Sequence, residues 1–135
     1  DLFSGSGSIG IEALSRGARD VVFNDLSKDA VKIIKTNLSK FKEDRRVYNL
    51  DYLSCLNRLE GNKFDYIFVD PPYAFEEYER IFEIIDNLNL YNNDCRIIVE
   101  VKKEKELADE LFSFEKYKEK KYGISKLLYY RRKDV

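Results

Sequence analysis

Residues 1–10 read "DLFSGSGSIG", and their spacing decides which fold the rest of the chain has to satisfy. Gly5-x-Gly7-x-x-Gly10 is the glycine spacing of a turn that leaves a buried strand and opens a helix, the turn that many α/β folds set against a dinucleotide. Gly5 and Gly7 let backbone approach a ligand closely. The helix start behind them offers unpaired N–H groups and a positive dipole end. Such a corner suits a phosphate, and it suits a carboxylate equally well. Asp25 stands twenty residues beyond Gly5, about where these folds keep an acid for a ribose. A tight strand-to-helix turn of purely structural use has the same spacing, so up to Asp25 the ligand is open.

Outward from this turn the pattern alternates strand with helix. Ile9, Ala13 and Leu14 supply an apolar helix face, and Gly17 ends that helix. Val21-Val22-Phe23 is a short continuous apolar run, as in a strand covered on both sides. Ser27 is placed to cap a helix whose inner face is Ala30, Ile33, Ile34, Leu38 and Phe41. Arg46 to Leu50 reads as a third strand, followed by a short helix through Leu53, Leu56 and Leu59. Phe64 to Val69 is the strongest strand signal. It is followed by a helix with Tyr78, Ile81, Phe82, Ile85 and Leu88 inward, then the strand Ile97 to Val101. Residues 104–112 read as one more helix. Phe114 to Glu119 and Ile124 to Arg131 read as two strands around Gly123 with no helix between them, hence antiparallel. The fold class is α/β: a Rossmann-like, doubly wound, mostly parallel sheet with an antiparallel C-terminal strand pair.

Totals narrow the function classes. With 44% apolar residues in 135, intrinsic disorder is excluded and one domain is expected. The net charge of −1 favours no class of charged partner. Residues 115–135, however, hold eight Lys/Arg against three Asp/Glu, a local +5 that leaves −6 elsewhere. In that tail Lys116, Lys118, Lys120, Lys121, Arg131 and Arg132 are the cations available to phosphates, or simply to solvent. Two cysteines forty residues apart and no histidine argue against a metal site and for two reduced, buried thiols. No apolar run of membrane-spanning length and no signal peptide is visible, so no membrane partner and a cytoplasmic location are expected. Methionine is absent, and only Asp1-Leu2-Phe3 precedes the turn. The expectation is an N-terminally truncated chain, its first strand largely missing, that folds poorly by itself.

Asp70-Pro71-Pro72-Tyr73 carries the chemistry. It follows Ile67-Phe68-Val69 directly, at the carboxyl end of the sheet, where open α/β folds bind ligands. Two prolines fix φ and withhold two N–H donors, while their carbonyls remain beside the Asp70 carboxylate and an aromatic ring. These acceptors and a flat stacking surface suit an NH2 group on a planar ring. Hydride transfer needs no such arrangement.

With these residues the chain resembles the class I, S-adenosylmethionine-dependent methyltransferases, in which D/N-P-P-Y/F marks methylation of an exocyclic amino nitrogen. "DLFSGSGSIGIEALSRGA", "VDPPY" and the late "YGISKLLYY" are similar, more narrowly, to the bacterial 16S rRNA guanine-N2 methyltransferase family, over nearly all 135 residues. The resemblance implies a single S-adenosylmethionine-dependent methyltransferase domain, residues 1–135, acting as a monomer on 16S rRNA or a partly assembled small ribosomal subunit. It implies cofactor contacts from Asp1, Ser4, Gly5, Gly7, Asp25, Leu26, Asp51 and Tyr52. Asp25 would take the ribose hydroxyls, Leu26 the adenine face, and Asp51 with the Tyr52 backbone the adenine amine. Asp51 also reads as a helix N-cap. Asp70 and the Pro71 carbonyl would hold the target amine, with Pro72 stiffening the corner and Tyr73 stacking on the base. Neither a metal nor a covalent intermediate is implied. DNA adenine-N6 or cytosine-N4 methyltransferases share the motif. A NAD-dependent oxidoreductase and a non-catalytic RNA-binding module are the more distant alternatives.

Overall fold

The structure is a computed structural model, and it describes residues 1–133. The chain divides into two compact units, residues 1–55 and 56–135.

In the first unit, α1 (Ser8–Ser15) leaves the glycine turn, β1 (Phe23–Asn24) pairs in parallel with β2 (Val47–Tyr48), and α2 (Lys28–Lys40) connects them. The glycines have two distinct jobs. Gly7 caps α1 with φ +82°, a left-handed conformation that side chains resist. Gly10 lies in the helix, and a Cβ there would stand 2.3 Å from a Phe23 ring carbon, so only glycine lets α1 lie this close to β1. Gly17 follows the helix at φ +106°, as a C-terminal stop requires. Ser27 caps α2 as its sequence position predicts, accepting the Ala30 N–H at 3.2 Å.

The core of this unit is Phe23, Ile34 and Leu38, with Ile11, Leu14, Val21 and Val47 packed around it. Three apolar residues expected inside are outside: Ile9, Ile33 and Phe41 are at least half exposed. The buried stripe of α2 runs through Val31, Ile34 and Leu38, a narrower face than the apolar composition allows. The helix α3 (Tyr52–Arg58) spans the division between the units.

The second unit holds β3 (Phe64–Val69), α4 (Tyr78–Asn87), β4 (Tyr91–Lys102), β5 (Glu110–Leu111), β6 (Phe114–Tyr122) and β7 (Ser125–Arg132). The sheet order is β3-β4-β7-β6-β5. β3 and β4 run parallel, and the three remaining pairings are antiparallel. The α4 residues Tyr78, Ile81, Phe82, Ile84 and Ile85 are buried, and the Phe82 ring meets Tyr130 at 4.8 Å and Phe114 at 6.0 Å.

The helix expected over 104–112 does not form. Glu110 and Leu111 pair instead with Glu115 and Phe114, through a turn at Phe112 whose φ is +55°. Leu111 and Phe114 gain burial in that hairpin, and packing overrides the helical preference of "KEKELADEL". The C-terminal pair is antiparallel as expected, but its second strand lies inside the sheet, between β4 and β6. Among the described residues no helix is long and apolar enough to cross a membrane.

Candidate functional site

In the first unit the loops after the strands are tied together by one side chain that pattern reading passes over. Asn24, 2% exposed, ends β1. Its amide donates to the carbonyls of Leu2 and Leu50 at 3.1 and 2.9 Å, and its oxygen accepts the Leu50 N–H at 3.1 Å. Its own N–H donates to the Ser4 hydroxyl, which in turn donates to the Asp1 carbonyl at 2.7 Å. Ser4 is thereby a fastener of the turn, and its buried hydroxyl is engaged by backbone. A polar residue closing the apolar run "VVFN" is the signal that could have marked Asn24.

Asp25 follows at once and bridges two loops. One carboxylate oxygen accepts the Gly5 N–H and the other the Ser27 N–H, both at 2.9 Å. The Asn49 amide donates to the carbonyls of Asp25 and Leu26 at 3.0 and 2.9 Å, fixing the segment that projects Leu26, which is 72% exposed. Asp51 caps α3: its two oxygens accept the N–H and the hydroxyl of Ser54, at 2.8 and 2.9 Å. These bonds hold its carboxyl below the usual carboxylate range. Tyr52 is buried near Phe3, ring centroids 6.4 Å apart. Asp1 differs from its neighbours. Both of its carboxylate oxygens are buried and accept no hydrogen bond among the described residues.

In the second unit Asp70 and Pro71 line a cavity of about 120 Å³ together with Tyr73, Tyr78, Glu100 and Lys102. Pro71 is buried and Tyr73 is mostly exposed. The Phe75 N–H donates to the Pro72 carbonyl at 3.0 Å, closing the Pro-Pro corner into a turn; the Pro71 carbonyl accepts no such bond among the described residues. Burial, and then the negative charge of Glu100, raise the Asp70 carboxyl to about 6. Tyr122 donates to Glu100 at 2.6 Å, and its hydroxyl is pushed up to about 12, chiefly by that bond. The Lys102 ammonium stands 4.7 Å from the Tyr73 ring centroid, and Lys105 pairs with Glu76 at 3.0 Å.

Glu100, Lys102, Lys105 and Tyr122 escape sequence reading. A lone acid inside "IIVEVK" could have flagged Glu100. The other three need the strand register.

Most of the basic tail is already occupied by the protein itself. Lys116 pairs with Asp109 and Glu119, Arg131 with Glu115, and Arg132 donates to Asn93, while Lys118 stands 5.0 Å from the Tyr129 ring centroid. Lys126, fully buried, is held by Glu106 and Glu119. Among the described residues no group of three or more His, Cys, Asp or Glu side chains is placed to hold a metal ion, and Cys55 and Cys95 are buried free thiols.

The chain is similar to several known proteins. YlbH of Bacillus subtilis (strain 168), named as an rRNA methyltransferase, is 31% identical over 137 residues, covering 98% of this chain and 74% of YlbH. Ribosomal RNA small subunit methyltransferase D of Haemophilus influenzae is 37% identical over 111 residues, and the match spans 79% of this chain and 58% of that protein. The solved structure of yhhF from Escherichia coli, named as a methyltransferase, superposes with a TM-score of 0.88 at 26% identity, over 100% of this chain and 76% of that one. The fold is that of the class I methyltransferases. The family described as "Conserved hypothetical protein 95" matches residues 1–131, and the chain belongs to that family.

Proposed function

We propose that this chain is the methyltransferase domain of an enzyme that moves a methyl group from S-adenosylmethionine to the exocyclic N2 amine of a guanine in 16S rRNA. The observation that carries the reading is the Asp70 corner. A half-buried carboxylate and an unengaged prolyl carbonyl sit at the end of a strand, beside an exposed tyrosine ring, with no ion pair to Asp70 among the described residues. The names of the relatives support the class of reaction and of RNA.

The residues of the first unit fit the cofactor. A buried carboxylate without a hydrogen-bond partner among the described residues, as at Asp1, suits an ammonium group. Each Asp25 oxygen accepts one N–H and retains a lone pair, which suits a pair of ribose hydroxyls. Leu26 offers exposed apolar surface to a purine. Gly5 and Gly7 leave the turn without side chains, and Ser4 holds its shape. Asp51, with the Tyr52 backbone, would meet an adenine amine through lone pairs that Ser54 leaves open. When bound, S-adenosylmethionine supplies a sulfonium methyl group that departs from a neutral thioether.

Asp70 and the Pro71 carbonyl accept the two N–H bonds of the target amine. An aromatic amine is a poor nucleophile because its lone pair is shared with the ring; gripping both hydrogens favours a pyramidal nitrogen with a directed lone pair. The nitrogen forms the new N–C bond with that pair and becomes cationic. It then loses one proton to Asp70, which passes it to water. Pro72 keeps the corner rigid, and Tyr73 stacks on the base after the Lys102 ammonium leaves its ring.

The substrate is 16S rRNA, free or in a partly assembled small subunit, and the enzyme works as a cytoplasmic monomer without metal. Mass spectrometry of nucleosides from a deletion strain tests this. Loss of N2-methylguanosine from 16S rRNA is the expected result, and loss of N6-methyladenine from DNA defeats it. Calorimetry on the full-length protein with S-adenosylhomocysteine and with NADH separates the methyltransferase from an oxidoreductase or a binding module without cofactor.

A further inference from the structure

We propose that Glu100, held by the Tyr122 hydroxyl, accepts the ring N1–H of the target guanine and thereby sets which base the Asp70 pocket takes. The inference rests on the reading of that pocket as an amine-methylating site.

Strands β3 and β4 are parallel with Val69 opposite Val99, so Asp70 and Glu100 occupy the next position on neighbouring strands, and both line the one cavity. No salt bridge reaches either carboxylate among the described residues. Of the two Glu100 oxygens, Oε1 accepts from Tyr122 at 2.6 Å, and Oε2 has no hydrogen-bond partner among the described residues. The tyrosine is a donor and keeps the side chain aimed. That Glu100 acts on the titration of Asp70 agrees with their closeness. The remaining charged groups of the cavity are Glu76, paired with Lys105, and Lys102, over Tyr73; Tyr78 lines it as well.

Two adjacent acceptors match a ring edge that presents two adjacent donors. Guanine has such an edge, with N1–H next to the N2 amine. Adenine places the N1 lone pair beside its amine, and cytosine places the N3 lone pair there. Against either one, Glu100 would face a lone pair across a desolvated gap, and both groups would lose their hydrogen bonds. A polar group built to pair with the right base thus also rejects the wrong ones, which is the stronger form of discrimination.

2-Aminopurine isolates this contact, because it keeps the N2 amine and exchanges N1–H for a lone pair. The test compares methyl transfer by the full-length enzyme to small subunits or 16S rRNA carrying guanine or 2-aminopurine at the mapped target. We expect the wild type to prefer guanine by roughly thirtyfold or more, the scale of one charged hydrogen bond. In Glu100→Gln the Tyr122 hydroxyl takes the amide oxygen and turns the NH2 toward the base. The preference should then fall to within about threefold, mainly through loss on guanine. Tyr122→Phe, which frees the carboxylate but keeps its charge, should fall between. Equal wild-type rates on the two bases overturn the proposal whether or not a variant folds, and so does an unchanged ratio in either folded variant, with guanine methylation itself left standing. A wild-type enzyme that methylates no guanine removes the underlying reading together with the inference.

Discussion

The two candidate site regions handle their carboxylates in opposite ways. In the first unit Asp25 and Asp51 each accept two donors from neighbouring backbone or hydroxyl groups, and Asn24 ties two loop segments to the end of β1 through one buried amide. In the second unit Asp70 and Glu100 crowd one cavity with Tyr122 as their one hydrogen-bond donor among the described residues, and Asp70 is raised to about 6. The first region is settled by its own hydrogen bonds and serves as a scaffold. The second holds unfavourable electrostatics that a substrate with several N–H donors would relieve. Asp1 is the exception within the first unit, a buried carboxylate that accepts no hydrogen bond among the described residues.

The sharpest way to break this contrast is Asp70→Ala in the full-length protein. Methyl transfer should fall at least about a hundredfold, the scale of one lost transition-state contact, while S-adenosylhomocysteine affinity by calorimetry changes less than about threefold. A collapse of cofactor affinity would move Asp70 out of the amine-binding role.

Asn24→Ala should cost about 3 kcal/mol in denaturant unfolding, since it strands the part-buried Leu50 N–H and two carbonyls. A loss below about 1 kcal/mol would mean that the loops do not depend on this amide. Gly10→Ala should cost about 2 kcal/mol in the same assay, because the new methyl group meets the Phe23 ring and the Val21 side chain below 3 Å.

Effects of pH come next in size. If Asp70 takes the proposed role, transfer requires its ionised form, so the rate should climb from pH 5 to pH 7 with a midpoint near 6, and Glu100→Gln should move the midpoint downward by removing the like charge. The smallest effect concerns stability. A carboxyl whose folded value is raised from 3.8 to about 6 binds a proton more tightly in the native state, so the native state loses stability as pH rises between those values. Asp70→Asn should therefore melt slightly higher than wild type at pH 7.5 and no higher at pH 3.5. A lower melting temperature at pH 7.5 would show that Asp70 belongs with the settled carboxylates of the first unit.

Much of this contrast was legible in the residues. The Ser27 cap, the Asp51 cap and the strand over 64–69 each follow from a few neighbouring positions, and local chemistry decides them. The failures are non-local. Residues 104–112 have a helical composition yet join a hairpin, because Leu111 and Phe114 bury themselves against the sheet. Lys116 and Arg131 read as free cations, and the register sets each beside an acid.

The sequence by itself determined the class of fold, the glycine turn and the donor-poor corner at Asp70, because each rests on backbone constraints local to a few residues: left-handed glycines, fixed proline φ, and acceptors without N–H groups. Tertiary structure alone decided that Glu100 stands beside Asp70 under the hydroxyl of Tyr122, and that Asn24 fastens two loops to the end of β1. Those pairings depend on strand register and on which buried polar groups find partners, and hydrogen bonds between residues some twenty or more positions apart leave no periodic mark in a chain.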